Sequence, residues 1–103
     1  MSRDARRSSM ERWKTNHASF AELQERPQIT ATEFLDTLED YVKVGAGISP
    51  GVVLEQIRRC RFTRQQIRDI RALLRLAEKD NRRRQPQTAR EYRIALRGTD
   101  ILF

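Results

Sequence analysis

The chain of 103 residues is long enough for one small domain, and its 21 lysines and arginines against 14 acidic residues give a net charge of +7. One cysteine and one histidine exclude an intramolecular disulfide and a zinc site made of Cys and His ligands from one chain. We find no apolar run that could serve as a signal peptide or a membrane span. We therefore expect an intracellular protein, cytoplasmic or, in a eukaryotic or viral setting, nuclear.

The positive charge is concentrated in one stretch of the chain. Residues 1–57 carry seven basic and nine acidic side chains, a net charge of −2. Residues 58–84 carry eleven basic and three acidic side chains, a net charge of +8. Such clustering is typical of a surface that binds a polyanion rather than of general solubility.

The N-terminal part of the chain predicts a flexible basic arm at residues 1–9, ahead of a single helical domain at residues 10–103. An amphipathic helix is expected from about residue 9 to 25, ending before Pro27 because a residue that precedes proline is disfavoured in helical conformation. We expect its apolar side to form the interface of a homodimer, because so short a chain builds only a modest core. The alternative is that these residues are ordinary core. They are Met10, Trp13, Phe20 and Leu23.

Four further helices are predicted, and most of their ends are marked by local sequence. The helices cover residues 31–44, 50–61, 64–80 and 89–97. Three starts match the capping box Thr-x-x-Glu/Gln, at Thr30, Thr63 and Thr88, and the fourth is marked by Ser49-Pro50. Glycines at 45 and 98 mark two ends. No alternating strand pattern occurs, so we predict an all-α fold, a small bundle of four to five short helices.

The helix at 64–80 has one cationic and one apolar side. Arg64, Arg68, Arg71 and Arg75 recur at helical spacing and form a stripe roughly 16 Å long on one face. The opposite face carries the residues to be buried, which are Ile67, Ile70, Leu73, Leu74 and Ala77. Glu78 is the one acid that we expect beside the stripe.

The helices at 50–61 and 64–80 are joined by a tight turn, so the pair resembles a helix-turn-helix motif. In that motif the N-terminal residues of the second helix meet base edges in the major groove, and here they would be Arg64, Gln65, Arg68 and Arg71. Two helices joined this tightly also occur without any role in nucleic-acid binding, and that alternative stays open.

No arrangement of residues favours catalysis, a cofactor or a metal. The glycine-rich segment 45–51 lacks the Gly-Lys-Ser/Thr ending of a phosphate-binding loop, and no nucleophile has a suitably spaced base.

We therefore expect a non-enzymatic regulator or accessory factor, a homodimer that contacts the phosphate backbone of nucleic acid. DNA is favoured over RNA because of the helix pair. The predicted binding residues are Arg58, Arg59, Arg64, Gln65, Arg68, Arg71, Arg75, Arg82, Arg83 and Arg84. The alternative is a protein-binding adaptor or inhibitor that docks its basic helix on an acidic protein surface.

Overall fold

Residues 29–103 form four α-helices in the computed structural model, which describes Phe20 and residues 29–103. The helices are α1 (Ala31–Val44), α2 (Pro50–Arg59), α3 (Arg64–Asn81) and α4 (Pro86–Leu102). No strand occurs among these residues, and the protein is a small all-α bundle, as predicted. The predicted arm at 1–9 lies outside the described residues, as do Met10, Trp13 and Leu23.

Local capping places the start of α1 and of α3 where the sequence predicts it. The Thr30 hydroxyl accepts from the Glu33 amide at 3.1 Å, and the Glu33 carboxylate accepts from the Thr30 amide at 3.3 Å. At Thr63 the same pair of bonds with Gln66 measures 3.1 and 2.8 Å. Each box satisfies amides that a helix start leaves without partners. Helix α1 ends at Gly45, whose φ of 68° is a left-handed conformation that favours glycine.

Helix α4 is longer than predicted at both ends. It begins at Pro86, and Thr88 lies inside its first turn, where the hydroxyl donates to the Gln85 side chain at 3.2 Å. The predicted capping box at Thr88 is therefore wrong, because proline at the first helical position starts the helix earlier. The predicted end at Gly98 is also wrong. A Cβ atom at Gly98 would lie 2.4 Å from Leu54 Cδ1, so this glycine lets Leu54 of α2 pack directly on the α4 backbone.

The core is built from three closely packed helix pairs, α3 with α4, α1 with α3, and α2 with α4. Helix α3 therefore lies between α1 and α4. The pair α2 and α3 is not among the closely packed pairs of the described helices, so the helix-turn-helix arrangement is not confirmed. The fully buried large side chains come from all four helices and include Phe34, Leu38, Val53, Ile70, Leu74 and Tyr92.

Phe20, which was predicted at a dimer interface, packs in the core of its own chain. It is 4% exposed, and its ring centroid lies 5.7 Å from that of Phe34 and 4.6 Å from that of Tyr41. The buried Gln56 side chain of α2 donates a hydrogen bond to the Phe20 carbonyl. These contacts fit the alternative in which Phe20 is ordinary core.

Tyr92 fastens α4 to the connection between α1 and α2. Its ring is fully buried, and its hydroxyl donates to the Ala46 carbonyl at 2.9 Å. Burial raises the pKa of the Tyr92 phenol, so the hydroxyl keeps the proton that this bond requires.

None of the helices α1–α4 combines the length with the apolar composition that crossing a bilayer requires.

The contact between Gly98 and Leu54 predicts how Gly98→Ala changes the free energy of unfolding. The sign of that change should depend on whether residue 54 is leucine or alanine. Alanine is favoured over glycine inside a helix by about 1 kcal/mol, but overpacking a core typically costs about 1–3 kcal/mol. We expect Gly98→Ala to lower the free energy of unfolding in urea titrations. In a Leu54→Ala background, where the clash is gone, the same change should raise it.

Gly51→Ala is the matched control, because a Cβ atom at Gly51 meets nothing within 4 Å. We expect this variant to be neutral or slightly stabilising. If Gly98→Ala behaved the same way with Leu54 intact, Leu54 would not fill the space at this glycine.

Candidate nucleic-acid interface

Helix α3 has a buried side and a cationic side. Ile70 and Leu74 have no exposed surface, whereas the side chains of four cations on the other side are exposed. These four, which we call the cationic stripe, are Arg64, Arg68, Arg75 and Lys79. The stripe spans about 22 Å at the α-helical rise. Because the opposite side of α3 is packed in the core, the backbone that carries the stripe is held in a fixed position.

Arg71, predicted as part of the stripe, lies at its edge and bonds to α4. Its guanidinium donates to the Asp100 carboxylate, and 36% of the Arg71 side chain is exposed. A second link joins the Glu78 carboxylate of α3 to Arg93 of α4 at 3.2 Å. From the Arg71–Asp100 pair to the Glu78–Arg93 pair, the residue number rises by seven on α3 and falls by seven on α4. The two helices therefore form an antiparallel hairpin, and Arg71 helps to hold it.

Glu78 lies inside this hairpin rather than beside the stripe in solvent. It is 7% exposed and accepts from Arg82 at 2.8 and 2.7 Å and from Arg93 at 3.2 Å. The hydrogen bonds from Arg82 lower the pKa of the Glu78 carboxyl, although burial acts in the opposite direction. Arg82 is therefore occupied by a structural bond.

The remaining predicted residues lie at the ends of helices or along the stripe. Gln65 is exposed and donates to Asp69 at 3.0 Å. Arg83 and Arg84 are exposed in the turn between α3 and α4, beyond the end of the stripe. Two other predicted cations, Arg58 and Arg59, are exposed in the last turn of α2, where basic residues complement the helix dipole. Helix α2 packs on α4, so the described helix packing does not bring these two to the stripe.

Sequence reasoning missed Lys79 and the cations of α4. Lys79 follows Arg75 by four residues, so the helical spacing already placed it on the same face. Arg90, Arg93 and Arg97 are exposed on α4, and all three lie within the helix already predicted at 89–97.

A groove lies where α3 begins and α4 ends. It has a volume of about 370 Å³, and its lining includes the side chains of Arg64, Arg68 and Arg71. Ile67 and Phe103 give it apolar surface, and Asp100 reduces its positive charge. Guanidinium groups around a recess of this kind suit an anionic group such as a phosphate.

Charge is segregated between the two halves of the described chain. Residues 64–102 carry eleven basic and five acidic side chains, a net charge of +6. Residues 29–63 carry four basic and five acidic side chains, a net charge of −1. The α3–α4 hairpin is therefore the cationic part of the bundle.

No group of three or more His, Cys, Asp or Glu side chains in the described part of the chain is placed to hold a metal ion. Burial raises the pKa of the Cys60 thiol, whose sulfur donates to the Ile29 carbonyl at 3.8 Å. The thiol is thereby held in its protonated form, which is a poor nucleophile.

Comparisons with protein-family models, with curated proteins and with solved structures found no match to this chain. The features that bear on function are therefore the geometry and charge of the α3–α4 hairpin.

The buried Glu78 predicts a pH-dependent contribution to stability. Its carboxyl pKa is lower in the folded than in the unfolded protein, so its contribution is complete above the unfolded value of about 4.3 and is lost as the pH falls through the folded value. We expect Glu78→Gln to lower the free energy of unfolding by about 1–2 kcal/mol at neutral pH, since both guanidinium partners are half exposed. The difference from wild type should shrink in acid.

Denaturant titrations near neutral pH and at about pH 3 test this expectation. Glu55→Gln is the matched control, because Glu55 is exposed and its ion-pair distance to Arg58 is 3.9 Å. A Glu78→Gln effect as small as that of the control would show that this carboxylate does not fasten the hairpin.

Proposed function

We propose that this protein is a non-enzymatic factor that binds duplex DNA through the phosphate backbone, using the cationic stripe of α3. The observation that carries the proposal is the stripe itself, four exposed cations on one face of a helix whose other face is locked in the core. The nearby acid Asp69 is turned away from the stripe and lines a groove with α1. The carboxylate at the stripe is that of Asp100, which is paired with Arg71 and lines the groove beside Arg64 and Arg68, so the exposed cations outnumber it.

The dimensions of the stripe match a polyphosphate. Duplex DNA carries one charge per about 1.7 Å of helix axis, so a stripe of about 22 Å spans several phosphates. Each neutralised phosphate contributes a slope of about −0.9 in a plot of log affinity against log salt, so four contacts give about −3 to −4. Arg83 and Arg84 are exposed beyond the last turn of α3, and we expect them to add phosphate contacts at this end of the stripe.

Helix α3 itself carries no aromatic side chain, which favours a duplex over a single strand. Proteins that bind single strands stack bases on exposed aromatic rings. Phe103 is the one exposed aromatic residue in the described part of the chain. It lies at the groove beside Arg64 and Arg68. Contacts to phosphates fix position without reading sequence, so we expect weak sequence preference.

Fluorescence anisotropy with a labelled DNA duplex of about 20 base pairs, longer than the stripe, tests the proposal. Arg68→Ala and Arg75→Ala should each weaken binding and reduce the salt slope by about one unit, while leaving thermal stability nearly unchanged. Arg58→Ala is the matched control, since it removes the same charge from α2. We expect it to leave both affinity and salt slope close to wild type.

Binding that does not change with salt would overturn the proposed mechanism, as would an Arg58→Ala loss equal to that of Arg68→Ala. A duplex RNA of the same sequence, measured in parallel, tests the preference for DNA. If no duplex binds even at low salt, nucleic-acid binding is rejected. The alternative of a basic helix that docks on an acidic protein surface then becomes the stronger proposal.

A further inference from the structure

An acidic groove lies on the α1 side of the cationic stripe. It is formed between α1 and α3 and has a volume of about 420 Å³. Its apolar lining comes from Leu35, Ala72 and Leu73, and its carboxylates are Asp36, Glu39 and Asp69. Two of these acids have partners at the surface, since Glu39 pairs with Lys43 at 2.9 Å and Asp69 accepts from Gln65. The groove therefore combines apolar surface with negative charge.

The apolar lining of this groove continues along α3. Leu76 follows Ala72 and Leu73 by one turn and is 50% exposed. A leucine with half of its surface in water adds apolar area that a docked partner would bury, at about 25 cal/mol for each Å² removed from water.

The outer face of α4 has the complementary character. Arg90, Ile94, Arg97 and Ile101 recur at helical spacing along this face, and all four are exposed. Ile94 is 44% exposed and Ile101 is 86% exposed. The stripe of α3, in contrast, carries cations without large apolar side chains. The outer face of α4 therefore has the composition of a docking helix, with aliphatic side chains flanked by positive charge.

We propose that the outer face of α4 in one copy of this protein docks in the acidic groove of a second copy. The isoleucines pack on the Leu35, Ala72 and Leu73 surface, and the guanidinium groups of Arg90 and Arg97 face the carboxylates at the groove. The contact follows the general mode in which an amphipathic helix lies in a groove between two other helices. Charge complementarity favours this occupant, because Arg90 and Arg97 are exposed on the outer face of α4 and three carboxylates line the groove.

The geometry of this contact determines the kind of assembly. The two docking surfaces lie on different helices of one copy, so the contact joins unlike patches and builds an open row or, where the rotation closes, a ring. Because α3 lies between α1 and α4, the groove and the outer face lie on the two sides of the stripe. Copies added in a row therefore leave each stripe uncovered, and, if the proposed function holds, binding to a long duplex becomes cooperative.

Two variants disable the two surfaces separately. The groove variant carries Asp36→Lys and Asp69→Lys, and the face variant carries Ile94→Gln, Arg97→Gln and Ile101→Gln. All five positions are exposed, and glutamine is a good helix former, so both variants should keep the fold, as circular dichroism and thermal melting will check. Neither variant alters the stripe.

Sedimentation velocity without nucleic acid gives the test. Wild type should self-associate with rising concentration and dissociate with added salt, and each variant alone should stay monomeric. An equimolar mixture should form a one-to-one complex and nothing larger. The intact face of one variant docks in the intact groove of the other, and the remaining pair of surfaces is disabled.

A wild type that stays monomeric at every concentration overturns the proposal, and so does a mixture that stays monomeric. If both variants still self-associate, the contact lies on another surface, and the proposal is rejected in that case too. These outcomes are separate from the proposed function, because they are measured without DNA. A stripe that fails to bind DNA in a protein that still self-associates rejects the proposed function alone.

Discussion

The packing of α3 against α4 is the contact through which the other helices are joined. Helix α1 packs on α3, and α2 packs on α4, so the two outer helices meet the rest of the bundle through different members of the hairpin. Glu78 lies inside this contact and draws Arg82 and Arg93 toward one carboxylate. A buried charge is tolerated here because hydrogen bonds from Arg82, which directly follows α3, and from Arg93 of α4 replace the water it has lost.

This hairpin also decides which arginines remain available for a partner. Arg71 is bonded to Asp100, and Arg82 is bonded to Glu78, so two of the ten residues predicted to bind nucleic acid help to hold the fold. Counting arginines therefore overstates the free positive charge of the hairpin. The cations that remain lie on two faces. The stripe of α3 consists of cations alone, whereas the outer face of α4 alternates Arg90 and Arg97 with Ile94 and Ile101.

The sequence allowed the prediction of features that depend on neighbours a few residues apart. The starts of α1 and α3 follow from the capping residues Thr30 and Thr63, and the buried side of α3 follows from its periodicity. Features that depend on distant residues were not accessible. Gly98 looked like a helix end because its packing partner Leu54 lies in another helix. The partner of Arg71 could not be anticipated either, since Asp100 is 29 residues away.

The bond between Tyr92 and Ala46 links residues separated by 46 positions, and it bears on the order in which a chain leaving the ribosome can fold. While α1 and α2 emerge, neither has its packing partner, because α1 needs α3 and α2 needs α4. The Ala46 carbonyl, in the connection between α1 and α2, likewise lacks its hydrogen-bond donor until Tyr92 is synthesised. Helix α1 can pack once α3 has been synthesised, whereas the apolar side of α2 and the side of α3 that meets α4 stay exposed until α4 follows. The bundle is therefore completed only late in translation, when α4 supplies the packing partner of α2 and the larger part of that of α3.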